Sequence, residues 1–103
     1  MKREIRIVIA DDHPIVRQGL RQVIEADPAI TVVAEEGNGA AALDRIRALR
    51  PDVAVLDIDM PELDGLGVAR EITKQQLPVK IIFLTVHRDQ AFFRAAMDAG
   101  AQG

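Results

Sequence analysis

Acidic side chains follow two apolar segments of this chain. Asp57 comes directly after Val53 to Leu56, and the pair Asp11-Asp12 comes directly after Ile5 to Ala10. A short apolar run without polar alternation is typical of a strand that is covered on both faces of a parallel sheet. The carboxyl ends of such strands lie at one edge of the sheet, where open α/β folds bind their ligands. We therefore expect these carboxylates to converge.

Carboxylates that meet in this way repel one another strongly. Two of them about 4 Å apart repel by ~4 kcal/mol at an effective dielectric of 20, so three cost on the order of 10 kcal/mol. Such a cluster either shares protons through raised pKa values or holds a cation, and hard oxygen ligands favour Mg²⁺. Beside a phosphate donor, an aspartate in such a site is a nucleophile that can form an aspartyl phosphate. Asp57 is best placed to attack, and Thr85 can donate its hydroxyl to a phosphoryl oxygen.

Apolar and amphipathic segments alternate along the chain, which predicts repeated β-α units with right-handed crossovers. The second strand is more polar than the others, so we expect it at an edge of the sheet, and the apolar fourth strand is expected to be buried on both faces. The predicted strands are Ile5 to Ala10, Ile30 to Glu35, Val53 to Asp57 and Lys80 to Thr85.

Prolines and helical spacing delimit the helices between these strands. We expect Gly65 in a tight turn and Asp64 as the cap of the third helix. The four predicted helices run from Pro14 to before Asp27-Pro28, from Ala40 to before Pro51, through Val68, Ala69 and Ile72 to before Pro78, and through Phe92, Ala95, Ala96 and Ala99 to Gly100.

Composition excludes several kinds of protein. A chain of 103 residues with 49% hydrophobic and 28% charged residues is typical of one globular domain. It has no cysteine, which excludes disulfides, thiolate zinc sites and cysteine nucleophiles. A net charge of -3 and the absence of Trp and Tyr predict no nucleic-acid surface in this segment. Its apolar runs are far shorter than the ~20 residues that span a bilayer, so we expect a cytoplasmic location without membrane contact.

The motifs above resemble the receiver domain of two-component response regulators. Asp11-Asp12, Asp57 with Met60-Pro61 and Gly65, and Thr85 match that family in order and spacing. Finer segments resemble the NarL/FixJ (LuxR-type) transcription factors: Asp-Asp-His-Pro at 11–14, Leu-Asp-Ile-Asp-Met-Pro at 56–61 and Ala-Gly-Ala-Gln-Gly at 99–103. The resemblance spans 1–103 and implies a flavodoxin-like, CheY-like α/β fold, a doubly wound parallel sheet with strand order 2-1-3-4-5.

The same resemblance implies that the natural protein is longer. The family's fifth strand, fifth helix and phosphoryl-contacting lysine would lie beyond Gly103, as would a DNA-binding domain. An apolar fourth strand left at the edge of a sheet supports this expectation, because such an edge tends to pair with further chain. We therefore expect the chain to be a receiver domain that is incomplete at its C-terminal end.

Individual residue roles also follow from the resemblance. It implies that Asp57 accepts a phosphoryl group from a phosphohistidine of a sensor histidine kinase, and that Thr85 is the switch hydroxyl. It implies Mg²⁺ bound by the side chains of Asp12 and Asp57, by the backbone carbonyl of Asp59, and by Asp11 directly or through water. The domain would catalyse only its own phosphoryl transfer and dephosphorylation. A homodimer on activation and an output on DNA through the C-terminal domain are implied in turn.

Each of these residues also has a simpler structural interpretation. An acidic pair after a strand is most often a helix cap or a solvated turn, and a threonine at a strand end is most often structural. His13 and His87 are interpreted as surface or loop residues, since a single imidazole without a partner histidine does not predict a metal site. The agreement of independent placements at several strand ends favours the functional interpretation.

Two other function classes share part of the pattern. A phosphatase of the haloacid dehalogenase kind would use Asp57-Ile58-Asp59, but such enzymes place the nucleophile on an early strand and need downstream motifs and a cap, for which 103 residues leave no room. A receiver-like interaction module that takes up no phosphate would not need the intact acids at 11, 12 and 57. Both classes are therefore disfavoured.

Overall fold

An open parallel sheet with helices on both faces carries the acidic residues. The computed structural model describes residues 4–60 and 62–84. Its strands are β1 (Ile5–Ala10), β2 (Ile30–Glu36), β3 (Val53–Asp57) and β4 (Lys80–Leu84), and its helices are α1 (Pro14–Ile24), α2 (Gly39–Leu49) and α3 (Gly65–Lys74). All neighbouring strands are parallel, in the order β2-β1-β3-β4. The predicted order is thus confirmed for these four, with β2 at an edge, and the predicted fourth helix lies outside the described residues.

Local sequence explains where the helices begin. Pro14 opens α1, where its missing N–H would have no intrahelical partner in any case. The Asn38 side chain accepts a hydrogen bond of 2.8 Å from the Ala41 N–H at the start of α2. Asp64 accepts an equivalent bond of 2.8 Å from the Gly67 N–H and caps α3, as predicted. These caps fix the helix starts that lie at the same end of the sheet as the acids.

Two apolar clusters fill the space between the sheet and its helices. On one face, α2 and α3 pack on the sheet through a cluster of buried residues: Val8, Ala10, Ala42, Leu43, Ile46, Ala54, Leu56, Val68, Ala69, Ile72 and Ile81. On the other face, α1 contributes Leu20 and Ile24 to a smaller cluster around Ile7, Ile9, Val32 and Val55. The described helices are all too short and too polar to cross a membrane.

The burial of β4 differs from the prediction. Ile81 is 2% exposed and packs with α2 and α3, but its neighbour Ile82 is 43% exposed. Successive side chains of a strand point to opposite faces, so Ile82 lies on the α1 side of the sheet. Within residues 4–60 and 62–84 it belongs to neither apolar cluster. The expectation that β4 is buried on both faces is therefore wrong at Ile82, because α1 covers this face of β4 only at its end, where Leu84 packs with Leu20 and Ile24.

Candidate functional site

The pairing of β1 with β3 sets the positions of the first acids. Ala10 is the register partner of Leu56, so Asp11 and Asp57 are the next residues at the ends of two adjacent parallel strands. Ligand atoms of Asp11, Asp12 and Asp57, together with a ring nitrogen of His13, all lie within 4.8 Å of one another. The expected convergence of the carboxylates is therefore present in the structure.

Asp11 is held from several directions. It is 4% exposed, and its N–H donates a 3.0 Å hydrogen bond to the carbonyl of Glu36 at the end of β2. Its carboxylate accepts a 2.7 Å hydrogen bond from the His13 N–H, and its own carbonyl accepts one from the Arg17 guanidinium. Two of these bonds hold the backbone of Asp11, and the bond from His13 orients its carboxylate.

His13 brings a ring nitrogen into the acidic cluster that Asp11, Asp12 and Asp57 form. Its Nδ1 lies 2.8 Å from an Asp12 oxygen, 3.0 Å from an Asp11 oxygen and 4.0 Å from an Asp57 oxygen. The hydrogen bond to Asp11 raises the pKa of His13 above its ordinary 6.5, and the charge of Asp12 raises it further. The sequence interpretation as a surface residue is correct, since the side chain is 66% exposed, but it missed these contacts. The feature of the sequence that could have indicated these contacts is the position of His13 directly after the acid pair.

The surroundings of Asp57 raise the pKa of its carboxyl. Its side chain is 15% exposed, and this burial is the main cause that raises its pKa above the ordinary value. The charges of Asp11, Asp12 and Asp59 raise the pKa further, because each makes ionisation of a neighbour less favourable. A hydrogen bond of 3.2 Å from the Asp59 N–H opposes the shift. Perturbed carboxyls in clefts are candidates for functional sites.

The acidic cluster opens into a cleft of about 400 Å³. Its walls combine acidic residues and His13 with apolar side chains of α1 and β4, and they comprise Asp11, His13, Val16, Leu20, Asp57, Asp59 and Leu84. Asp59 thus lies at the same cleft as Asp11 and Asp57, while its predicted role as a carbonyl ligand stays a prediction. Thr85, the predicted switch hydroxyl, lies outside the described residues.

Comparison with known proteins identifies this arrangement. The family described as "Response regulator receiver domain" matches residues 7–103. The chain belongs to the response regulator receiver domain family. It is 41% identical over 98 residues to the nitrate/nitrite response regulator protein NarP of Escherichia coli, covering 95% of this chain and 46% of NarP. It is 38% identical over 100 residues to the transcriptional regulatory protein NarL of Mycobacterium tuberculosis, covering 97% and 46%.

Solved receiver domains have the same fold. The signal receiver domain of NarL from Mycobacterium tuberculosis superposes with a TM-score of 0.93 at 37% identity, covering 96% of this chain and 80% of that one. A two-component response regulator of the LuxR family from Aurantimonas sp. SI85-9A1 superposes with a TM-score of 0.91 at 38% identity, covering 97% and 71%. The predicted receiver family, CheY-like fold and NarL/FixJ-type resemblance are confirmed. The chain spans about half the length of the curated relatives it matches.

Gly65 packs against the backbone of Asp57 in the acidic cluster of this receiver domain. It is the first residue of α3, so the predicted tight turn is wrong, and its N–H donates a 3.0 Å hydrogen bond to the Ile58 carbonyl. Its Cα lies against the backbone of Asp57, where a side chain would not fit. Glycine is needed here for close approach, because α3 starts directly behind Asp57, the last residue of β3.

The donor set of this receiver domain fits a divalent cation of the magnesium type. Three of its four groups are carboxylates, which are the hard oxygen ligands that Mg²⁺ prefers. Asp11 is buried, Asp57 is half-buried and Asp12 is exposed, so the cluster is open on one side, where waters can complete the coordination. A cation would also offset the mutual repulsion of the carboxylates. The cluster can therefore hold a metal ion.

Proposed function

We propose that this receiver domain is a phosphorylation-dependent signalling switch that accepts a phosphoryl group on Asp57 from a sensor histidine kinase, with Mg²⁺ as cofactor. One observation carries the proposal: donor atoms of Asp11, Asp12 and Asp57 lie within 4.8 Å of one another in a chain of this family. Asp57 is the acceptor because it combines the end of a central strand, substantial burial and a raised pKa.

The transfer is a substitution at phosphorus. An Asp57 carboxylate oxygen forms a bond to the phosphorus of the kinase phosphohistidine while the P–N bond breaks, and the electron pair of that bond returns to the imidazole. The domain acts here only on its own phosphorylation state.

Residues around Asp57 have supporting roles in the proposal. Asp11, Asp12 and Asp57 would hold Mg²⁺ through their side chains, with Asp11 acting directly or through water, and the Asp59 carbonyl would complete the protein ligands. The ion supplies positive charge that balances the charge on the phosphoryl oxygens. Thr85 would donate its hydroxyl to the phosphoryl group and shift position as the switch residue, which alters a surface read by partners.

The proposed output is control of transcription. NarP is named a response regulator and NarL a transcriptional regulatory protein, and this chain covers 46% of each. We propose that residues 1–103 are the receiver part of a longer regulator, whose DNA-binding domain follows and which forms a homodimer on activation. The sensor kinase and a second copy of the protein are then its protein partners.

Phosphorylation with a small donor tests the proposal. Incubation of the full-length protein with acetyl phosphate and Mg²⁺ should add one phosphoryl group, measured by intact mass, and chelation of the metal should prevent it. Asp57→Asn should abolish the addition, whereas Asp44→Asn should leave it unchanged, because Asp44 is on α2 with its side chain 78% exposed. Undiminished phosphorylation of the Asp57→Asn variant would contradict the proposal.

A further inference from the structure

Arg17 connects α1 to the ends of two strands. It is half-buried in the first turn of α1, and its Nη1 donates a hydrogen bond to the backbone carbonyl of Asp11. A Cβ built on Gly37, just after β2, would lie 3.2 Å from the same Nη1. The guanidinium therefore lies between the acidic loop and the chain that leaves the edge strand.

The geometry points to Arg17 as a positioning residue that holds the Asp11–His13 loop in the conformation that can bind a divalent ion. The inference rests on the function proposed above, since it concerns the same metal site, and it adds a residue that contributes no ligand atom. Arg17 would act only through the Asp11 carbonyl.

Peptide planarity explains how one carbonyl controls the next side chain. The Asp11 carbonyl and the Asp12 N–H belong to the same planar peptide unit. A hydrogen bond that fixes the carbonyl therefore fixes the direction in which the chain leaves β1 toward Asp12. The Asp11 N–H is already bonded to the Glu36 carbonyl at 3.0 Å, so Arg17 fixes the other side of the residue. Together the two bonds hold the backbone from which both carboxylates of the acid pair extend.

The charge of Arg17 allows a positioning role to be separated from a purely electrostatic one. A guanidinium cation near a cation site repels the incoming ion, so its removal should strengthen binding if charge alone matters. Loss of a group that orients ligands should weaken binding, typically by roughly tenfold or more for outer-shell partners of metal ligands. The two roles therefore predict opposite directions.

Arg21 provides the matched control. It lies one turn further along α1, and it pairs with Glu25 at 3.0 Å and Glu35 at 2.8 Å, neither of which belongs to the acidic cluster. Arg17→Gln and Arg21→Gln each remove one positive charge from the same helix. In the full-length protein, Mg²⁺ affinity measured by calorimetry should fall about tenfold for Arg17→Gln. The affinity of Arg21→Gln should stay unchanged or rise slightly.

A metal-free measurement judges the same inference independently. The NMR amide resonances of Asp12 and His13 should shift in Arg17→Gln and not in Arg21→Gln. Gly37→Ala should shift the same two amides to a smaller extent, since its methyl group would crowd the guanidinium at 3.2 Å without changing Arg17 itself, and the φ angle at Gly37 lies outside the left-handed region. This second variant also covers the case in which Arg17→Gln does not fold.

These measurements test the positioning role of Arg17 separately from the proposed function. Mg²⁺ binding by Arg17→Gln at or above the wild-type affinity, with unshifted Asp12 and His13 amides, would overturn the positioning role while leaving the proposed function intact. Wild-type protein that binds no Mg²⁺ would overturn the proposed function, and the metal-free amide shifts would then decide whether Arg17 positions the loop at all.

Discussion

Gly65 lies so close to Asp57 that a Cβ on the glycine would be 2.3 Å from the Asp57 backbone oxygen. Gly65→Ala must therefore move either α3 or the end of β3, and overpacking of this kind costs about 1–3 kcal/mol of unfolding free energy. Because the displaced residue is the proposed phosphoacceptor, the rate of phosphorylation by acetyl phosphate should fall as well. Denaturant unfolding and intact mass measure the two effects.

Gly19→Ala is the control for this substitution. A Cβ on Gly19, in α1, would meet nothing within 4 Å, and alanine favours the helix by roughly 0.5–1 kcal/mol over glycine. This variant should be slightly more stable than wild type and should be phosphorylated at the wild-type rate. Equal stability of the two variants would show that the close approach of Gly65 to Asp57 is unimportant.

Replacement of Asp57 should stabilise the metal-free protein in a pH-dependent way. The folded-state pKa of Asp57 is raised above the ordinary 3.8, mainly by burial, so the carboxyl favours folding only while it is protonated. That contribution is complete below about pH 3.8 and is lost as the pH rises through the raised value. Asp57→Asn should therefore show a stability gain over wild type that appears as the pH increases toward neutrality. Urea unfolding at several pH values tests this.

Added Mg²⁺ provides the control for the Asp57 comparison. The ion should stabilise wild type more than Asp57→Asn. An ion that binds only the native state stabilises it, and it does so more strongly for the protein with the higher Mg²⁺ affinity. The stability advantage of the variant should therefore shrink at neutral pH as Mg²⁺ increases. A gain for Asp57→Asn that is the same at every pH and every Mg²⁺ concentration would contradict both the pKa shift and the metal role.

Asp12 and Asp44 offer a matched test of the metal ligands. Both are aspartates with accessible side chains, 36% and 78% exposed, but only Asp12 belongs to the cluster. Asp12→Asn should weaken Mg²⁺ binding at least about tenfold, which corresponds to ~1.4 kcal/mol, whereas Asp44→Asn should change it little. Calorimetric titration of the two variants measures the difference. Indistinguishable affinities would exclude Asp12 as a ligand.

The titration of His13 should report the acidic cluster. In the metal-free protein its pKa should lie above 6.5, because Asp11 bonds its ring and Asp12 adds a nearby negative charge. Its favourable contribution to stability is thus complete below pH 6.5 and is lost as the pH rises through the raised value. Asp11→Asn and Asp12→Asn should each lower the pKa, measured by NMR of the imidazole protons. A pKa at or below 6.5 in wild type would contradict these contacts.

Strand positions could be predicted closely because their limits have local causes. β1 and β3 match the predicted bounds, since each is an apolar run that ends at an acid. Asp64 was predictable as a cap because its short acceptor side chain directly precedes an amphipathic segment. The meeting of Asp11 with Asp57 followed from parallel pairing of adjacent strands, which the register between Ala10 and Leu56 satisfies.

Features that depend on tertiary contacts could not be predicted in this way. The reach of Arg17 to the Asp11 carbonyl depends on the angle at which α1 packs on the sheet, which no local pattern specifies. The exposure of Ile82 depends on which strands α1 covers. The sequence predicts a turn at Gly65 because glycine is common in turns, whereas the constraint in the structure is the short distance between α3 and β3.

The in-register pairing of β1 with β3 also ties ligand binding to the integrity of the whole domain. Asp11 and Asp57 are far apart along the chain and become neighbours only when these central strands associate. By mass action, any ion that binds both of them shifts the folding equilibrium toward the native state. The tolerance of this domain to destabilising substitutions elsewhere therefore increases with the free concentration of that ion in its surroundings.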